Sequence, residues 1–240
     1  MASRFNRREV IAASATALVL ESGVAQAALV KGALPFRPGG TNPPDGASGG
    51  TWQFFTADEA TAAEAIVDRL IPADELTAGG KDLGCAVFID RQLAGPYGRD
   101  GGLYMKGPFQ HGTAQQGPQS DVTPAEHYRK ALAALDAHCK QTFGKKFAEL
   151  SPTQKDAVIK DLEDDKLKLA DGSGQAFFKQ VLNDTHTGFF ADPVYGGNKD
   201  MASWKMIGFP GTHYDYREWV DRHNQPVTLP TVSIKDQSSR

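Results

Sequence analysis

The chain has 240 residues, of which 40% are hydrophobic and 23% charged, with a formal net charge of −3. That composition suffices for one domain with a buried core, and it shows no basic stripe of the kind nucleic-acid binding needs, so nucleic acid is excluded as a partner. The two cysteines, Cys85 and Cys139, fit no zinc, iron–sulfur or haem-attachment spacing.

Residues 1–27 have the grammar of an export signal. Arg4, Arg7 and Arg8 form a basic start, Val10 to Leu20 a mildly apolar run, and Ala25-Gln26-Ala27 a small-residue cleavage pattern. The apolar run falls short of the ~20 residues that cross a bilayer. The adjacent Arg7 and Arg8, with the weakly hydrophobic run, point to a twin-arginine signal. A plain secretory signal with an incidental arginine pair is the alternative. The distinction has a consequence: the twin-arginine route moves folded proteins, so a partner without its own signal can travel with the passenger. Residues 28–50 read as a flexible linker, since positions 31–50 hold six glycines and four prolines and show no apolar period.

Helical grammar begins at Thr51 and dominates the stretch to Gly211. Thr56 and Glu59 form a capping box, Ile66, Val67, Leu70 and Ile71 give an apolar face, and Pro72 ends the helix. A second helix is expected near Cys85, with Val87 or Phe88, Ile89 and Leu93 inward and Gly95-Pro96 at its end. Residues 95–122 form a long irregular region containing Tyr97, Tyr104, Met105 and Phe109. Thr123, Pro124, Glu126 and Gly144 bracket a third helix, with Tyr128, Leu132, Leu135 and Cys139 on one stripe. Ser151, Pro152 and Gln154 start a fourth, with Val158 and Leu162 inward. A fifth is apolar through Phe177, Phe178, Val181 and Leu182. No segment alternates as a strand does. The fold class is mainly α: a multi-helix domain over 51–211, with long irregular loops and extended termini. Residues 212–240 read as a C-terminal extension with one short helix capped by Thr212. Its Pro- and Ser-containing tail is placed to lie along a partner.

Two segments together have a specific resemblance. "FTADEATAAEAIVDRLIPADELTAGGKDLGCAVFIDRQL" and "FFADPVYGGNKDMASWKMIGFPG" resemble the gluconate 2-dehydrogenase subunit 3 family, from about Phe54 to Gly211. The motif around Asp192-Pro193, Tyr195-Gly196-Gly197-Asn198, Trp204, Gly208 and Pro210-Gly211 is its most specific part. The resemblance implies a non-catalytic small subunit without a cofactor of its own. Its partner would be a large flavoprotein of the glucose–methanol–choline type that holds FAD and oxidises a sugar or polyol. A multi-haem cytochrome c subunit often completes such complexes and anchors them to the membrane. The expected location is the periplasm, at the cytoplasmic membrane through these partners, after export by the twin-arginine translocase. The expected work is to stabilise the flavoprotein and carry it out of the cytoplasm.

The residues themselves offer little catalytic chemistry. The glycines from Gly95 to Gly102 and the Tyr195-Gly196-Gly197-Asn198 turn lack the preceding strand of a nucleotide fingerprint. Ser120 and Ser173 are not in a nucleophile elbow. His127 and His138 stand three helical turns apart, too far to hold one ion. His213, Asp215 and Glu218 form the best remaining metal cluster, read instead as a solvated acidic turn. The acidic run 161–166 lacks the spacing of a calcium loop. Cys85 and Cys139 are open to three states: an internal bridge, a bridge to a partner, or two buried thiols.

The expected docking residues are therefore Tyr195, Gly196, Gly197, Asn198, Trp204 and Pro210, where large amphipathic rings sit on a glycine-shaped loop. The simpler reading has Trp204, Ile207 and Phe209 capping the chain's own core. Two other functions stand against the accessory subunit: a stand-alone periplasmic enzyme or small-ligand binding protein, and a purely structural exported α-domain.

Overall fold

The computed structural model describes residues 51–110, 112–116, 120–169, 172–213 and 216–239. The export signal of residues 1–27, with Arg7, Arg8, Ala25 and Ala27, and the linker of residues 28–50 lie outside them. The described chain is mostly α-helical, as its capping grammar predicts. Among the described residues no helix is long and apolar enough to cross a membrane.

Helix α1 spans Ala57–Leu70 and starts where Thr56 and Glu59 cap each other reciprocally. It buries Ala60, Ala63 and Val67 on one stripe, with Ala62 and Ile66 beside them. Helix α2, Cys85–Ala94, buries Cys85, Phe88, Ile89 and Leu93, so Phe88 rather than Val87 is the inward residue of that pair. It begins after Gly84, whose φ is 79°. A Cβ on Gly84 would lie 2.5 Å from the carbonyl oxygen of Gly196, so the start of α2 and a loop more than a hundred residues later touch backbone to backbone.

Helix α3, Pro124–Phe143, is opened by the Thr123–Glu126 box and closed by Gly144 at φ 73°. Helix α4, Pro152–Glu163, is opened by the Ser151–Gln154 box. Each such cap stabilises by roughly 1 kcal/mol. Helix α5, Gly174–Phe190, is the central element and packs on α1, α2, α3 and α4. A short helix α6 spans Ala202–Ile207. Two-residue strands, β1 (Lys168–Leu169) and β2 (Gly172–Ser173), pair antiparallel before α5. They were invisible as strands because two residues are too few to display an alternating pattern.

The core is aromatic where α3 and α5 meet. Tyr128 and Phe177 are both fully buried and meet edge to face at 5.6 Å, and Phe55 joins Tyr128 at 6.2 Å. Burying a ring such as that of Phe177 stabilises by about 1.5–3 kcal/mol. Phe55 is held there by a carboxylate. Asp90, completely buried on α2, accepts from the backbone N–H of Gln53, Phe54 and Phe55 at 2.8, 2.9 and 2.8 Å. Arg91 donates to its second oxygen at 2.8 Å. Three consecutive amides with no helix to join thus find one acceptor group. Arg129 closes the segment from outside, donating to Phe54 O at 2.7 Å and lying 4.2 Å over its ring.

The C-terminal extension departs from expectation. Thr212 does not cap a helix. Its N–H donates to Val232 O at 3.0 Å, beside a parallel bridge between Gly211 and Val232. The short helix is a 3₁₀ turn at Arg217–Trp219. The tail returns to its own chain. Val232 N–H donates to Pro210 O at 3.1 Å. The Ser233 hydroxyl and the Ile234 N–H donate to Asp192, both at 2.9 Å. The buried carboxylate of Asp192 supplies acceptors that an extended tail would leave unused.

Candidate functional site

The Asp192–Gly211 loop is built from inside outward. Asp192 also accepts from Val194 N–H and so opens the 3₁₀ turn Pro193–Tyr195. Gly196 follows at φ 105°. Gly197 is pressed onto α5, since a Cβ there would sit 2.0 Å from Gly188 O. Asn198, fully buried, donates from Nδ2 to Ala191 O at 2.9 Å and accepts the Ser203 N–H at 3.0 Å. Ser203 Oγ lies between Phe189 O and Asn198 Oδ1, at 2.5 and 2.7 Å. Trp204 is 5% exposed, and its Nε1 donates to Phe190 O at 2.8 Å. Asn198, Asp200 and Met201 all have positive φ, at 47°, 58° and 57°. Backbone in that region persists in non-glycine residues only where the surroundings over-determine it, and the Asn198–Ser203–Trp204 bonds do so.

This arrangement divides the expected docking set. Gly197 is pressed onto α5, and Asn198 and Trp204 are buried with their side chains bonded to Ala191 O, Ser203 and Phe190 O, so these three residues shape the loop. Gly196 and Pro210 are half-buried and Tyr195 is exposed. The exposed apolar side chains lie around the buried tryptophan. Phe209 stacks edge to face on Trp204 at 5.1 Å, and Phe190 carries the carbonyl that Trp204 bonds. Ile207 is 57% exposed, Phe190 43%, Phe209 41% and Tyr195 38%. The loop thus does two jobs: Trp204 closes the chain's own core, and the flanking apolar residues face outward.

A second place was not legible in the sequence. A cavity of about 710 Å³ lies between the Pro96–Leu103 turn and the near ends of α3 and α5, with Tyr97, Asp100, Ser120, His127 and Gln180 among its walls. Behind it runs a chain of polar groups. His127 Nδ1 is 2.6 Å from Gln180 Oε1, and Gln180 Nε2 donates to the Tyr97 hydroxyl at 3.3 Å. Tyr97 donates to Asp184 at 3.0 Å, and Tyr128 donates to Asp184 Oδ2 at 2.8 Å. Burial pushes the Asp184 carboxyl above its ordinary value, against the two tyrosine hydrogen bonds that favour the ionised form. Both tyrosines are pushed up, first by burial and then by the Asp184 charge, so they remain donors. Tyr97, Tyr128 and Asp184 stand on three separate elements, and no spacing along the chain signals that they converge.

The remaining sites resolve simply. Cys85 and Cys139 are free thiols, each completely buried, which is the third of the three states considered. Burial pushes the Cys85 thiol up to about 12 and that of Cys139 up to about 11. Among the described residues no group of three histidines, cysteines or carboxylates could hold a metal ion. His213 instead faces Pro230 O at 2.8 Å and stacks on Tyr216, while Asp215 lies outside the described residues. In the acidic run, Asp164 pairs with Lys160 and Lys166 at 2.7 and 2.9 Å on the exposed end of α4.

Comparison with known proteins gives one result. Neither the curated proteins nor the solved structures contain a match. The family model described as gluconate 2-dehydrogenase subunit 3 matches residues 57–211, the stretch running from the first helical residue of α1 to the last glycine of the Asp192–Gly211 loop. With well over half of its length matched, the chain belongs to the gluconate 2-dehydrogenase subunit 3 family.

Proposed function

We propose that this chain is the non-catalytic small subunit of a periplasmic, membrane-associated, FAD-dependent sugar or polyol dehydrogenase. FAD belongs to a large flavoprotein partner of the glucose–methanol–choline type, and haem c to a cytochrome subunit where one is present. The small subunit stabilises the folded flavoprotein and carries it through the twin-arginine translocase. Family membership supports an accessory role. The observation that carries the reading furthest is the outward apolar set, Phe190, Tyr195, Ile207 and Phe209, mounted on a loop whose own polar groups are satisfied. Rings on a rigid frame make efficient contact anchors because little side-chain freedom is lost on binding. A subunit that binds only the folded flavoprotein favours that state by mass action.

The test is export in cells making both chains. Replacing Arg7 and Arg8 by Lys is expected to leave both subunits, and the sugar-dependent dye reduction, in the cytoplasm. Arrival of the flavoprotein in the periplasm with the altered signal would end the carrier role. A second reading, a small-ligand binding protein, is favoured by the cavity beside Tyr97.

A further inference from the structure

The cavity beside Tyr97 has a chemical bias that can be read group by group. Pro96, Leu103, Val122 and Pro124 contribute apolar wall. Of the polar side chains that line it, Ser120 has a hydroxyl able to donate, while Asp100, Tyr97 and the Gln180–His127 pair present mainly acceptors. Gln180 Nε2 is committed to Tyr97, so its Oε1 faces His127 Nδ1, and that nitrogen carries the proton. In the neutral ring the His127 Nε2 is then an acceptor, with no partner among the described residues. The Tyr97 proton is committed to Asp184, and its oxygen already accepts from Gln180.

Asp100 adds the charge. Asp100 lines the cavity and is half-buried, and its carboxylate has no hydrogen-bond or ion-pair partner among the described residues. Burial raises its pKa above the ordinary value, as expected of a carboxylate without a counter-ion. No lysine or arginine is among the described residues that line the cavity. Asp184 lies behind the wall and adds no positive charge. An anion would meet an unpaired carboxylate. A ligand with an apolar body and a cationic donor head matches all of these features. The volume falls within the roughly 300–1,000 Å³ of ordinary small-molecule sites.

We propose that the cavity between the Pro96–Leu103 turn and helices α3 and α5 binds a small organic amine, with its ammonium group on Asp100 and His127 Nε2 and its apolar body against Leu103, Val122 and Pro124. The site is independent of the accessory role and of the Asp192–Gly211 loop.

The test uses the purified full-length chain and isothermal titration with three probes of one shape: phenethylamine, 2-phenylethanol and hydrocinnamate. Phenethylamine is expected to bind one-to-one, the alcohol at least about tenfold more weakly, and the acid not at all, because a hydrogen bond to a charged group contributes about 1.5–3 kcal/mol. Asp100→Asn is expected to remove the preference of amine over alcohol. Asp100 has φ 51°, and asparagine tolerates that conformation well, so the turn survives the change. His127→Phe tests the second contact and should weaken the amine while leaving the melting temperature of the fold within a few degrees. Absence of phenethylamine binding, equal binding of amine and alcohol, or an unchanged amine preference in Asp100→Asn would each overturn the proposal.

Discussion

The Ser233 hydroxyl donates to Asp192 Oδ1 at 2.9 Å, joining residues 41 positions apart. The same carboxylate takes the N–H of Ile234 and that of Val194, so one side chain ties the tail to the start of the Asp192–Gly211 loop. We predict that Asp192→Ala destabilises the chain by roughly 2 kcal/mol, since several donors lose their acceptor but the tail can regain water. Trypsin should then cut after Lys235 under native conditions faster than it cuts the parent. Equal protection of that bond in both proteins would show that the tail is held elsewhere. Ser233→Ala should cost less, about 1 kcal/mol.

Gly197 and Gly144 make a controlled pair. A methyl at Gly197 would meet Gly188 O at 2.0 Å, whereas at Gly144 it would meet nothing within 4 Å. Gly144→Ala therefore suffers only from its φ of 73°, a penalty of about 1 kcal/mol. Gly197→Ala forces the loop off α5 and should cost more than about 3 kcal/mol or prevent folding. Urea unfolding of the two variants, read by tryptophan fluorescence, would sink this account if they proved equal.

The thiols should be silent in the native state. Cys85 and Cys139 are completely buried and their thiols are pushed up to about 12 and about 11, so thiolate is scarce at pH 8. We expect Ellman's reagent to titrate both only after denaturant is added, and non-reducing gels to show no bridged dimer. Rapid labelling of either cysteine in the folded protein would contradict the burial described above.

Asp184 carries a pH signature opposite to the surface carboxylates. Its folded-state pKa is raised by burial. The native state therefore binds the proton more tightly than the unfolded chain does. Stability from this group is greatest when it is protonated and is lost as pH rises from the ordinary carboxylate value of 3.8 through the folded value. Asp156 and Asp164, lowered by hydrogen bonds from Arg69 and Lys160, act the other way but are fully exposed and contribute little. Comparing the parent with Asp184→Asn isolates the group. The parent should lose ground relative to the variant as pH rises above the ordinary carboxylate value, through the raised folded-state value. A difference that stays flat, or that grows in the parent's favour as pH rises, would reverse the sign.

Ile207 offers a surface test of the accessory role. It is 57% exposed at the end of α6, so Ile207→Asp should change stability by no more than about 0.5 kcal/mol. Copurification with the flavoprotein subunit should fall sharply, because a charge would be buried without a partner at the contact. Unaltered copurification of this variant and of Phe209→Asp would place the contact on another face.

The chain itself announced its helices. Thr56 with Glu59, Thr123 with Glu126 and Ser151 with Gln154 act within one turn, so neighbours in sequence are also neighbours in space, and all three boxes form. The stripe of Tyr128, Leu132, Leu135 and Cys139 is buried for the same local reason. Family membership was equally legible, because the Asp192–Gly211 motif is contiguous. What that motif does was decided only by the tertiary structure. Asn198 and Trp204 resemble contact residues by type, yet their partners, Ala191 O and Phe190 O, are offered by the end of α5 and turn them inward. The cavity is the stronger case. Tyr97, Tyr128 and Asp184 meet only when three separate elements pack, and hydrogen bonds between distant positions leave no periodic trace in a sequence. Local forces wrote the elements, and long-range packing chose which of their side chains face water, core or cavity.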